Sequence, residues 1–408
     1  FENLYWEDDA YAGGSCFLIN AFKLGGRSVN AKFTGSGSLS FYGGSYAIIS
    51  NFMNVVQDID MTISGQPYRY NGGIYVRNAN YTLEGNKTLN ANLNARVIYI
   101  DGYGNVRFNK YSNYIANLGV ACGGNMASVS GITTDEGDIT IDTAFIDIKI
   151  LLNAKRELEE YIYTKTWAFE ASENIAINDS TVNFSVLEYN NEFIEEPEGF
   201  ASSVTAGAFS ADNVNIKGSL VNVNINGKHI TSARAFNCDN CSLIESEVNL
   251  DVRALGSAGG ICCYTTDGSE AYFSARNSDV FINLEMYGLG QEDYKSIPPY
   301  MNGGIYASSI SLVSNSENKI VINTNGVQTI SLKTGSANKD MVRPHSDYID
   351  EQISFDNAVI TSTKSFVHNE DSYSSSGQEK IVIYESLYEL IDDNYVLLDN
   401  VVVTYSAH

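Results

Sequence analysis

The chain has 408 residues and a formal net charge of −24, with 27 Tyr, 34 Gly and only 5 Pro. That charge, spread without a large basic block, repels polyanions, which excludes nucleic acid and acidic membrane as partners and leaves neutral or cation-bearing ones. No apolar run approaches the roughly 20 residues that span a bilayer, so no membrane insertion is expected. Aromatic and β-branched residues suit pleated strands, and Gly and Asn suit positive-φ corners. The chain starts at Phe1 without Met, and we read it as a mature or excised portion of a larger protein.

Along the chain, short stretches alternate apolar and polar residues and close on Gly, Asn or Ser, which predicts strands. They include Ile59, Met61 and Ile63, then Leu89 through Val97 at every second position. Val182, Phe184 and Val186 follow, then Val221, Val223 and Ile225, then Val248, Leu250 and Val252. Lys149 to Tyr163 is the one stretch with a helical look. Near the end, Lys380–Leu390 and Tyr395–Tyr405 read as strands that cap an open end, while Lys333–Asp350 and Asn369–Glu379 read as polar excursions.

The phrase NGGIY occurs at Asn71–Tyr75 and again at Asn302–Tyr306, with AGGIC at Ala258–Cys262 between them. Residues 206–231 and 232–257 form two units of equal length, followed by longer units opening at Ala258 and Asn302. Fainter copies open at Gly13, Gly43 and Gly72. A repeat in this size range marks stacked supersecondary units. Three short strands per unit joined by tight corners predict an all-β, right-handed parallel β-helix, and the phrase reads as a corner-and-strand marker, not a phosphate loop. The alignment places Ala208, Ala235, Ile261, Ile305 and Ile74 in one column, and Phe209, Phe236, Cys262, Tyr306 and Tyr75 in the next. Adjacent strand positions face opposite ways, so the aromatic column is either an outward stripe or an interior ladder.

Catalytic chemistry is sparse. Polysaccharide-cleaving β-helices need clustered carboxylates, or Arg and Lys with calcium for uronates. Here Asp8-Asp9 and Asp392-Asp393 stand at opposite ends, and His229, His345, His368 and His408 lack a catalytic setting. Thr133–Asp138 and Thr265–Glu270 read as solvated turns or cation sites without the EF-hand ladder. Cys238 and Cys241 form a CxxC without a second pair, read as buried residues, an optional disulfide or a redox motif. The remaining cysteines are Cys16, Cys122, Cys262 and Cys263. No catalytic residue, metal ligand or cofactor is assigned. Tyr remains in excess: Tyr68, Tyr70, Tyr75, Tyr99, Tyr103, Tyr294 and Tyr300, with Trp167, are the candidate carbohydrate-binding residues. Rungs repeating about every 4.8 Å match the glucosyl spacing of a straight glucan, so a flat aromatic face meets crystalline polysaccharide in register.

An acidic, Tyr- and Asn-rich coil with little Pro, GGIY corners and long interrupting loops resembles the carboxy-terminal domain of the tapirins, cell-surface proteins of thermophilic cellulose-degrading bacteria. The resemblance covers most of the chain but transfers no motif residue by residue. It implies an extracellular, non-catalytic, monomeric adhesin on cellulose or another insoluble plant polysaccharide, encoded near type IV pilus genes, with loops over a flat binding face. On this reading residues 1–332 form the coil with insertions at about 152–200 and 288–301, and residues 333–408 supply terminal rungs and capping strands. A β-helix polysaccharide lyase or glycosidase and a trimeric surface or spike module are the competing readings.

Overall fold

A computed structural model describes residues 4–8, 15–20, 30–43, 46–65, 72–119, 126–153, 163–189, 203–228, 230–265, 271–287, 303–307, 309–313, 318–325, 332–334, 353–355, 358–362, 373–375, 380–391 and 394–406. Among these residues there is no helix, and one large parallel sheet collects 31 strands. This is an all-β fold of the parallel β-helix, or solenoid, kind. Two compact units divide the chain: Phe1–Val204 with Phe209–Ala211, and Thr205–Ala208 with Asp212–His408.

In the first unit each rung between Gly72 and Tyr189 has three strands, whereas Asn54–Ser64 runs unbroken past two of them. Gly72–Arg77, Tyr81–Leu83 and Thr88–Leu93 make one. Ile98–Tyr103, Val106–Phe108 and Asn113–Gly119 make the next, and Met126–Glu136, Ile139–Asp142 and Phe145–Asn153 another. Tyr163–Glu170, Asn174–Asn178 and Thr181–Tyr189 follow. Alternation sends every second side chain inward, where it stacks on its register partners. The first strands stack Ile48, Ile74, Ile98, Ile132 and Phe169. The second strands stack Val55, Tyr81, Val106, Ile139 and Ile175. The third strands stack Met61, Leu89, Tyr114, Ile146 and Val182. All fifteen are buried, and each buried aliphatic or aromatic side chain contributes about 1.5–3 kcal/mol of transfer free energy.

The second unit repeats the plan. Phe236, Ile261 and Ile305 stack on one wall, and Val221, Val248 and Val280 on another. This register corrects the sequence alignment: Phe236 pairs with Ile261, and Asn237 pairs with Cys262. Phe236 therefore stands in the Ile column and Phe209 is also buried, whereas Tyr75 sits one position on from its own isoleucine, facing out of the core. At the end, Lys380–Ile391 and Asn394–Ser406 form a separate antiparallel pair.

Three other expectations change. Lys149–Asn153 is not helical but closes the strand Phe145–Asn153, because Ile146, Ile148, Ile150 and Leu152 alternate inward. The span 152–200, read as an insertion, contains the whole rung 163–189. The glycines of NGGIY lie within a strand and have no positive φ. They serve close approach instead. A Cβ on Gly73 would stand 2.3 Å from the Val97 carbonyl oxygen, and one on Gly260 2.4 Å from that of Gly304. The expected insertion 288–301 and most of the polar excursions lie outside the described residues.

The corners explain the Asn and Ser content. At one corner Asn54 donates to Asn30 Oδ1, and the backbone N–H groups of Asn80, Asn105, Asp138 and Asn174 each donate to the Oδ1 one rung back, at 2.8–3.1 Å. At another corner a left-handed residue (Asp179, Gly218, Glu245 or Asn277) is followed by a buried serine. Those serines, Ser180, Ser219, Ser246 and Ser278, each donate to the carbonyl two residues back at 2.6–2.9 Å. Ser246 and Ser278 also accept the N–H of the serine on the preceding rung, both at 3.2 Å. Replacing Ser246 by Ala removes the hydroxyl that accepts the buried Ser219 N–H. We expect a loss of about 1–3 kcal/mol in urea unfolding, and an unchanged midpoint would refute the serine ladder as a stabilising device.

Candidate functional site

Gly72–Arg77 places the site. Ile74 and Val76 point into the core, so Tyr75 and Arg77 emerge on the other side. Tyr99 is the register partner of Tyr75 on the following rung. Their ring centroids stand 5.5 Å apart, nearly edge-to-face at 69°. On the preceding rung Tyr46 continues the row, 5.4 Å from Tyr75 and tilted by 54°. Gly72 makes this possible, since a Cβ there would stand 2.2 Å from Tyr46 Cε1.

Charged groups border the rings. Tyr75 donates its hydroxyl hydrogen to Asp101, which Arg77 also approaches at 3.4 Å. Tyr99 donates to Asp135 at 2.8 Å, and the Arg96 guanidinium lies 4.2 Å from the Tyr99 ring centroid. Arg96 also reaches Ser128 Oγ at 3.4 Å, while its buried Nε has no partner. Burial first, and then the accepting carboxylate, pushes the hydroxyls of Tyr75 and Tyr99 up to about 12. Both phenols stay neutral and keep a fixed donor orientation at ordinary pH. Half-buried rings with carboxylates and a guanidinium at their rim can pack on the C–H faces of a sugar and exchange hydrogen bonds with its hydroxyls.

The other candidates separate. Tyr103 ends the strand Ile98–Tyr103, is 72% exposed and hydrogen-bonds Glu136, which holds its hydroxyl above the usual range. Trp167, expected on a binding face, is instead 4% exposed. Its strand is buried at Thr166, Ala168 and Phe169 as well, so alternation leaves it no outer side. The Lys165 ammonium lies 6.0 Å from its ring, and the indole N–H has no partner. Tyr68, Tyr70, Tyr294 and Tyr300 lie outside the described residues.

Sequence reasoning missed Tyr46, Arg96, Asp101 and Asp135. Tyr46 stands two positions before its core isoleucine, and Tyr75 stands one after its own, so matching by phrase did not pair them. In Thr133–Asp138, Asp135 and Glu136 are engaged by tyrosines, and Thr134 bonds the Gly137 carbonyl at 3.0 Å. Among the described residues no group of three or more His, Cys, Asp or Glu is placed to hold a metal ion, and no helix is long and apolar enough to cross a membrane. No family model, no curated protein and no solved structure matches this chain.

Proposed function

We propose that the chain is a non-catalytic, cell-surface binding module for an insoluble neutral polysaccharide, most simply cellulose. The observation that carries this reading is the row Tyr46, Tyr75 and Tyr99 on three consecutive rungs, rimmed by Asp101, Asp135 and Arg96. Its ring centroids stand 5.4 and 5.5 Å apart, near the rung spacing of about 4.8 Å, so aromatic contacts are offered to successive sugars. The net charge of −24 favours a neutral glycan over a uronate polymer. The tilted rings present edges and hydroxyls as well as faces, so recognition combines stacking with polar contacts from the flanking carboxylates.

The test is a pull-down with microcrystalline cellulose, with a reducing-sugar assay on the same tubes. Depletion without sugar release is expected. Replacing Tyr75 and Tyr99 together by Ala should weaken retention at least tenfold, about 1.4 kcal/mol, while circular dichroism stays unchanged. No depletion of the parent protein would end the cellulose reading, and sugar release would put a β-helix lyase or glycosidase in its place.

A further inference from the structure

The second unit holds four buried cysteines, Cys238, Cys241, Cys262 and Cys263. Cys238 and Cys263 are direct register partners on the parallel strands Ser232–Ile244 and Ser257–Cys263. Their sulfurs stand 3.7 Å apart. Adjacent strands run about 4.8 Å apart, inside the Cα separation of roughly 4.4–6.8 Å that a disulfide requires. Cys241 belongs to the next segment of the rung, where it pairs with Phe273, and its thiol hydrogen-bonds the Cys238 sulfur from across the corner at Asp239. Three sulfurs thus converge in the core, and only the Cys238–Cys263 pair joins one rung to the next in register.

We propose that Cys238 and Cys263 are a cross-linking site, oxidised to a cystine that ties consecutive rungs together. Hydrogen bonds from Cys241 and Cys263 hold the Cys238 thiol below the usual range, while burial pushes Cys241 and Cys263 up. Once the rung opens both thiols lose this environment, so either can begin the exchange, and the steps are the same with the two interchanged. The oxidant is a low-molecular-weight disulfide. When the rung opens, the Cys238 thiolate attacks one sulfur of that disulfide, forming a mixed disulfide and releasing one thiol. When the rung closes, the Cys263 thiolate attacks the Cys238 sulfur, forms the protein S–S bond and releases the second thiol. Two cysteine thiols are oxidised, one disulfide is reduced to two thiols, and the two cysteine protons leave on those products.

Trypsin separates the possible pairings, because Arg234, Arg253 and Arg276 place Cys238 and Cys241 in peptide 235–253 and Cys262 and Cys263 in peptide 254–276. The full chain is held with glutathione disulfide in sub-denaturing urea, alkylated without reduction, digested and weighed. The two peptides should emerge joined and should separate on reduction. The link should persist in Cys241→Ser and Cys262→Ser and vanish in Cys263→Ser. Recovery of both peptides fully alkylated, a bond confined to peptide 235–253, or a link surviving in Cys263→Ser would overturn the assignment.

Discussion

Truncating Phe169 to Ala is expected to destabilise the first unit by about 3–5 kcal/mol, the range for emptying a buried aromatic site. Phe169 is fully buried and continues the column Ile48, Ile74, Ile98 and Ile132. Its ring lies parallel to that of Phe209, with centroids 5.3 Å apart and planes 8° apart, an offset stack that contributes about 0.5–1.5 kcal/mol beyond burial. The neighbouring rungs are locked by their own hydrogen bonds and cannot collapse into the void. Phe169→Leu fills most of the space and should lose distinctly less. Urea unfolding followed by near-ultraviolet dichroism gives both values. Equal losses for Ala and Leu would show that the stacked ring, not the filled volume, is what matters.

Alkaline destabilisation is the second large effect. Tyr81 and Tyr114 are fully buried, and burial raises both phenols well above their ordinary value near 10. Tyr81 donates to Gln57 Oε1 at 2.6 Å, and the Gln57 amide is itself committed to the carbonyls of Ile59 and Thr88 at 2.9 and 3.0 Å. Tyr114 donates to the Gly131 carbonyl at 3.0 Å. Each phenolate would therefore face an acceptor with no donor to meet it. Since the folded pKa lies above the unfolded one, the stability these groups lend is complete below about pH 10 and falls as pH rises further. The loss is about 1.4 kcal/mol per pH unit for each tyrosine. Tyr75 and Tyr99, also raised but partly exposed, add a smaller, screened share in the same direction. Unfolding midpoints measured from pH 8 to pH 11 should drop steeply above 10, and Tyr81→Phe should remove a large part of that slope. A slope identical in Tyr81→Phe would exclude Tyr81 as its source.

Much of the fold was legible because a strand states its faces at every second residue. Val221, Val223 and Ile225 or Val182, Phe184 and Val186 needed nothing more, and all are buried as read. The same period makes errors abrupt: sliding the third unit by one residue set Phe236 beside Cys262 rather than Ile261 and left the aromatic column undecided. Trp167 misled because its strand is covered on both faces, a condition no alternation announces. Ser180, Ser219, Ser246 and Ser278 each stand just ahead of an alternating strand, and nothing in the local pattern announces the bonds that Ser219, Ser246 and Ser278 make from rung to rung. Of the site, Tyr75 and Tyr99 were found from composition. Their carboxylate partners were not, because Asp101 and Asp135 reach them only across the stacking direction.

The asparagine corner carries a consequence for how such a chain can grow. Asn54, Asn80, Asn105, Asp138 and Asn174 are each hydrogen-bonded to the adjacent rung. A duplicated segment that brings one such residue and its alternating strands arrives with its own fastening above and below. Genes encoding this architecture can therefore gain or lose whole rungs by copying and excision, and can lengthen the stretches between strands independently, without rewriting the core that is already in place.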